Sequence, residues 1–183
     1  MEFDKLDQVP DIDSREQGRS AAGIADFVAS PASNSHSRGI ILVDIDHFSE
    51  INESHGYAIG DAVLVELARA MEASCRKTDT IARVAGEEFV ILAPGADRKN
   101  VEAAARRLGK NIKHTRIRLA NNVTLQVTAS IGATLVDSDQ SLEQAILGAS
   151  VLLKQAKTGG RDRVEFAGPE NLVVLPQKPD EER

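Results

Sequence analysis

Apolar residues along this chain fall into two kinds of pattern: short runs or alternations that suit strands, and three-to-four spacings that suit helices. The first unbroken apolar run, Ile40-Ile41-Leu42-Val43, follows Gly39 and ends in Asp44-Ile45-Asp46. Such a run predicts a central strand covered on both faces. Residues 48–54 read as a short helix, and Gly56 and Gly60 flank a predicted turn. A longer helix is predicted over about 62–76, with Val63, Leu64, Leu67, Ala70 and Met71 on its buried stripe and Asp61 at the N-cap position. Residues 80–84 and 88–92 read as two strands. Ala85-Gly86-Glu87 between them is too short for a helix, so the pair is a hairpin, closed by Pro94-Gly95. A helix over 100–112 carries Val101, Ala104, Ala105 and Leu108. Residues 115–119 and 123–135 predict a second hairpin around Asn121-Asn122, its second arm alternating through Val127, Ala129 and Ile131 before Gly132. A last helix over about 142–156 and a strand over 163–166 complete the order β-α-α-β-β-α-β-β-α-β. That order predicts an α/β fold, a mixed central sheet flanked by helices and resembling a ferredoxin-like core with additions.

The flanks are less patterned. Residues 1–38 read as an N-terminal extension with a short helix over 21–29, carrying Ile24, Phe27 and Val28, and a polar loop over 30–35. The ordered domain is expected over 39–166. Residues 167–183 read as a C-terminal tail, with Leu172-Val173-Val174-Leu175 as one further candidate strand.

Composition narrows the function classes. Of 183 residues, 42% are apolar, which suffices for a core, but aromatic residues are only 3%, with no Trp and one Tyr. That core must be aliphatic, and an aromatic platform for single-stranded nucleic acid is not expected. The net charge of −6 argues against a DNA or RNA partner, which calls for a basic face, yet it allows a phosphate ligand held through a metal ion. A single cysteine, Cys75, excludes an internal disulfide framework. No apolar run approaches the roughly 20 residues of a membrane helix. A cytoplasmic protein is the expectation.

The candidate chemistry is carboxylate chemistry. Asp44 and Asp46 stand at the C-terminal end of the first core strand, where α/β sheets commonly form ligand crevices. Glu87 and Glu88 stand in the first hairpin. If that hairpin pairs with the first strand, the acids converge, and crowded carboxylates repel unless a cation sits among them. Mg²⁺ takes such oxygen ligands and completes its shell with water and substrate phosphates. The plainer alternative is that Asp44 caps the next helix and Glu87 is a solvated turn residue.

The run from Asp44-Ile45-Asp46-His47-Phe48 through Asn52 and Gly56 to Gly60-Asp61 resembles the first signature of the GGDEF-domain diguanylate cyclases. Arg83-Val84-Ala85-Gly86-Glu87-Glu88-Phe89 resembles the second. Val127-Thr128-Ala129-Ser130-Ile131-Gly132 and Lys157-Thr158-Gly159-Gly160-Arg161-Asp162-Arg163 add a third and a fourth in the family's order. The resemblance implies a palm-type nucleotide cyclase fold. It implies catalysis by Asp44, Glu87 and Glu88, with Asp44, the Ile45 carbonyl and Glu87 as ligands of Mg²⁺ or Mn²⁺. It assigns guanine recognition to Asn52 and Asp61, and phosphate binding to Lys157 and Arg161. Arg76-Lys77-Thr78-Asp79, eight positions ahead of Glu87 at its aspartate, matches the family's inhibitory site for cyclic di-GMP. The implied reaction joins two GTP molecules into cyclic di-GMP with loss of pyrophosphate, across a transient or regulated homodimer.

Several positions depart from the family pattern. Ala85 replaces the first hairpin glycine, Ser49 replaces a phosphate-side lysine, and Ser150 and Lys154 replace an aspartate and a tyrosine of the last helix. The usual N-terminal Asp-x-Leu-Thr-Gly-Leu-x-Asn-Arg element survives only faintly in residues 4–12. Two function classes follow. One is an active cyclase with product feedback. The other is an inactive or weakly active domain that signals by binding GTP or cyclic di-GMP.

Overall fold

The computed structural model describes residues 38–119, 123–136 and 142–168. The segments expected as a helix at 21–29, a loop at 30–35, a turn at Asn121-Asn122, a strand at 172–175 and a tail beyond it lie outside the described residues.

Strand β1 (Arg38–Ile45) is the hub. Its apolar run is buried on both sides because it lies in the middle of a five-stranded sheet of order β2-β3-β1-β6-β7. The other strands are β2 (Thr80–Ala85), β3 (Glu88–Ala93), β6 (Ala129–Val136) and β7 (Arg163–Ala167). β1 pairs antiparallel with β3 and β6, β2 antiparallel with β3, and β6 parallel with β7. This is the expected mixed sheet. A small separate ladder joins β4 (Ile117–Arg118) to β5 (Thr124–Leu125). The second hairpin therefore differs from its prediction. Its long second arm divides between two sheets, because β6 spends its hydrogen bonds on β1 and β7.

Helices α1 (Phe48–His55), α2 (Tyr57–Glu72) and α3 (Arg98–His114) precede β6, and α4 (Leu142–Thr158) follows it. The larger core joins Ile41, Val43 and Ile45 of β1 to Val63, Leu67 and Met71 of α2 and to Val101, Ala105 and Leu108 of α3. The smaller core joins Ile40 and Leu42 to Ala145, Ala149 and Leu153 of α4. Alternation along β1 thus sends successive side chains to opposite layers. Gly132 of β6 sets the distance of α4 from the sheet. A Cβ there would lie 2.2 Å from the Ala149 carbonyl oxygen and 2.3 Å from the Leu153 nitrogen. Among the described residues, no helix is long and apolar enough to cross a membrane.

Three helix boundaries correct the sequence reading. α2 begins at Tyr57, so Gly60 lies inside the helix and Asp61 stands in its first part rather than at its N-cap. Gly60 is there for contact, since a Cβ would sit 1.9 Å from Asn52 Oδ1 on α1. The helix also ends at Glu72, ahead of Arg76. α3 starts two residues earlier than the periodicity suggests, because Asp97 caps it by accepting the Asn100 amide at 2.7 Å.

Candidate active site

The first hairpin brings the acids together. In the antiparallel register Asp44 of β1 stands opposite Glu88 of β3. Gly86 and Glu87 form the hairpin turn, with Gly86 at φ 49° in the left-handed region that glycine enters freely. The turn is braced by Arg83, whose Nε donates to the Gly86 carbonyl at 2.6 Å. It is also tied to β1, since the Ile45 amide donates to the Glu87 carbonyl at 3.4 Å. Ala85 is not among the residues with positive φ, so the methyl that replaces the family's first glycine carries no backbone strain, and it points into exposed space.

Asp44 is only 4% exposed. Its Oδ2 lies 2.5 Å from Lys157 Nζ, delivered by the last turn of α4. Burial pushes the Asp44 carboxyl above its ordinary value, Lys157 pulls it back, and the charges of Glu87 and Asp46 add to the rise. Partial burial also raises Glu88, reinforced by Asp44 and Glu87 and opposed by Lys157. Asp44, Glu87 and Glu88 therefore feel one another, with one ammonium among them.

Asp46 does something else. It is equally buried, and its carboxylate accepts Thr128 Oγ1 at 2.6 Å, Ser130 Oγ at 2.7 Å and the Asp162 amide at 3.0 Å. With those donors in place it is a structural anchor rather than a further acid of the cleft. Sequence reading missed this role, because the three donors lie 82, 84 and 116 residues away.

The remaining candidates fall into two places. Asn52 of α1 lies against Gly60, and its Oδ1 is buried without a hydrogen-bond partner. Asp61 is the next residue along α2 and is exposed. A buried acceptor left open is costly unless a donor fills it. Arg161 is exposed in the turn after α4, close to the Asp46 anchor through Asp162. Arg76 and Asp79 sit elsewhere. They close a turn reciprocally: the Arg76 amide donates to Asp79 Oδ2 at 2.8 Å and the Asp79 amide to the Arg76 carbonyl at 3.0 Å. Asp79 Oδ1 is a second buried acceptor without a partner. Thr80 pairs with Leu92 and Ala85 with Glu88, so β2 runs from this turn to the carboxylates. Five strand rises put the two places roughly 17 Å apart. α3 holds the Arg76 end through Arg107, whose Nη2 donates to the Ser74 carbonyl at 2.8 Å.

The donor chemistry of Asp44, the Ile45 carbonyl and Glu87 is all hard oxygen, the set that magnesium and manganese take. The buried Asp44 carboxylate already draws a cation, Lys157, to itself. Among the described residues, no three His, Cys, Asp or Glu side chains are gathered in metal-ligating array.

Known proteins are similar to this chain in sequence and fold. The family model described as diguanylate cyclase, GGDEF domain, matches residues 17–163. Over 130 residues the chain is 38% identical to the uncharacterized protein YhcK of Bacillus subtilis, covering 70% of this chain and 36% of that one. Over 129 residues it is 33% identical to diguanylate cyclase A of Treponema denticola, covering 70% and 34%. The solved structure of diguanylate cyclase SiaD from Pseudomonas aeruginosa, in complex with its activator SiaC, is similar with a TM-score of 0.75 at 30% identity, over 83% of this chain and 58% of that chain. The chain spans about a third of the length of the curated relatives it matches. Matched by that family model over most of its length, and similar in fold to a solved diguanylate cyclase, this chain belongs to the GGDEF-domain diguanylate cyclase family.

Proposed function

We propose that the chain condenses two GTP molecules into cyclic di-GMP, releasing pyrophosphate, within a two-fold pair of its domains. The observation that carries the reading is the meeting of Asp44, Glu88 and Lys157 across β1, β3 and α4, with Glu87 in the adjoining turn. Asp44, the Ile45 carbonyl and Glu87 would hold Mg²⁺ or Mn²⁺, which when bound supplies Lewis acidity at the α-phosphate. Glu88 adds negative charge beside them. Lys157 and Arg161 bind the phosphates. Asn52 and Asp61 read guanine, whose Watson–Crick edge offers N–H donors to the open Asn52 oxygen and to the Asp61 carboxylate. Each domain holds one GTP, and the 3′-hydroxyl of one attacks the α-phosphorus of the other. Pairing thus supplies the orientation that the chemistry needs.

Arg76 and Asp79 are read as a separate cyclic di-GMP site that restrains turnover. The open, buried Asp79 oxygen supports it. The same site would serve a second reading, a catalytically weak or inactive domain that signals by binding GTP or cyclic di-GMP.

Calorimetric titration tests the first reading. With Mg²⁺ present, GTP should bind at least about tenfold more tightly than ATP, because a site built to pair one edge is left unsatisfied by the other. Glu87→Gln should remove the metal dependence of binding. Equal affinity for the two nucleotides would overturn the guanine assignment.

A further inference from the structure

The turn between α4 and β7 is backbone of an unusual kind. Gly160, Arg161 and Asp162 all have positive φ, at 113°, 61° and 47°. Glycine adopts such values freely, but two consecutive non-glycine residues there need to be held. The hold comes from both sides. On one side, the Arg161 amide donates to the Ala156 carbonyl at 3.0 Å, closing the end of α4. On the other, the Asp162 amide donates to the buried Asp46 carboxylate at 3.0 Å, itself fixed by Thr128 and Ser130. The Asp162 side chain then reaches across to α3, where its Oδ2 meets Lys113 Nζ at 2.5 Å. α3 and α4 belong to opposite layers of the sheet. Lys113 therefore grips, from the far layer, a turn that emerges from the near one.

We propose that Lys113 and Asp46 are positioning residues for Arg161. Asp46 anchors the backbone of the turn and Lys113 anchors its carboxylate, so that the left-handed conformation at Arg161 and Asp162 is kept before nucleotide arrives. Arg161 then meets a phosphate without first ordering its own backbone, which is the benefit of preorganisation. Neither positioning residue need touch the nucleotide: Asp46 is engaged by three donors of its own, and Lys113 by Asp162. The inference rests on the phosphate-binding reading of Arg161.

The test uses Lys113→Met and Lys113→Arg in the whole chain. Two quantities are read for each: hydrogen exchange at the Asp162 amide, and the dissociation constant for GTP with Mg²⁺. The Lys113–Asp162 pair is half-exposed. Its loss should therefore cost a factor of about three to five in each quantity, with little change in Tm. Lys113→Arg should restore both, since it keeps the ion pair. Unchanged exchange at Asp162 in Lys113→Met would overturn the clamp. So would faster exchange with an unchanged GTP affinity, because the turn would then move without consequence for phosphate. If the wild type bound no GTP, the nucleotide reading would fall, and the exchange measurement would still decide whether Lys113 holds the turn.

Discussion

Replacing Lys157 with Met keeps the aliphatic stem of the side chain and removes its ammonium. Asp44 would be left as a buried carboxylate facing Glu87, Glu88 and Asp46 with its neutralising partner gone. Breaking a fully buried ion pair by deleting one partner costs about 3–5 kcal/mol. The Lys157 side chain is 36% exposed, against 6% for Asp44, so solvent screens part of that interaction. A loss of about 1–3 kcal/mol is expected after that discount. For a chain of this size each kcal/mol moves Tm by about 2–4 °C. The loss should also depend on pH. A carboxyl whose folded value is raised binds its proton more tightly in the folded state, so stability falls as pH rises from the ordinary carboxylate value through the raised one. Asp44 and Glu88 both act in this sense in the wild type. Lys157 opposes the rise at both, so its removal extends the Asp44 window upward and deepens the loss. Thermal melts of wild type, Lys157→Met and Lys157→Met/Asp44→Asn across that range measure it. The single variant should melt below wild type at neutral pH and approach it in mild acid, and the double variant should regain most of the stability. A single variant that matches wild type at every pH would refute the electrostatic account of the cleft.

Gly60→Ala would press a methyl into Asn52 Oδ1 and to 3.2 Å from the buried Phe48 ring, so calorimetry should show the preference for GTP over ATP reduced, with some loss of Tm from the crowded ring. Gly132→Ala meets backbone of α4 instead, which cannot yield cheaply, and should lose about 1–3 kcal/mol or more in chemical denaturation. Ala85→Gly, which recreates the family's glycine, should bring no gain in GTP affinity and a stability loss of up to about 1 kcal/mol, since Ala85 is strand backbone without positive φ. Arg76→Ala should abolish cyclic di-GMP binding by calorimetry while Glu87→Gln leaves it intact, because β2 separates the two places.

Much of this was legible in the chain because it depends on neighbours in sequence. The apolar run at Ile40–Val43 reads as a covered central strand, and the three residues between two apolar segments point to the hairpin that carries Glu87 and Glu88. The position of that hairpin beside β1, with Asp44 opposite Glu88, then brings the acids together. What escaped the sequence reading depends on distant partners. In sequence Asp46 reads as a further acid of the cluster, and its role as an anchor depends on Thr128, Ser130 and Asp162, all distant along the chain. Gly60 looked like a turn residue, because its reason for lacking a side chain is the approach of Asn52 from another helix. The Lys113–Asp162 pair joins residues 49 apart and has no local signature. The cap at Asp97 was the exception: its side chain bonds only three residues ahead, and the rule for helix starts would have found it.

The most direct test of the proposed reaction is product formation. The chain should be incubated with GTP and Mg²⁺ and the nucleotides separated by chromatography over a range of protein concentrations. The account predicts cyclic di-GMP and pyrophosphate, with a rate per molecule that rises with protein concentration as domains pair, and no cyclic product from Glu87→Gln. GTP left unconverted at every concentration, in a protein that binds it, would contradict the cyclase reading and leave a nucleotide-binding domain without turnover.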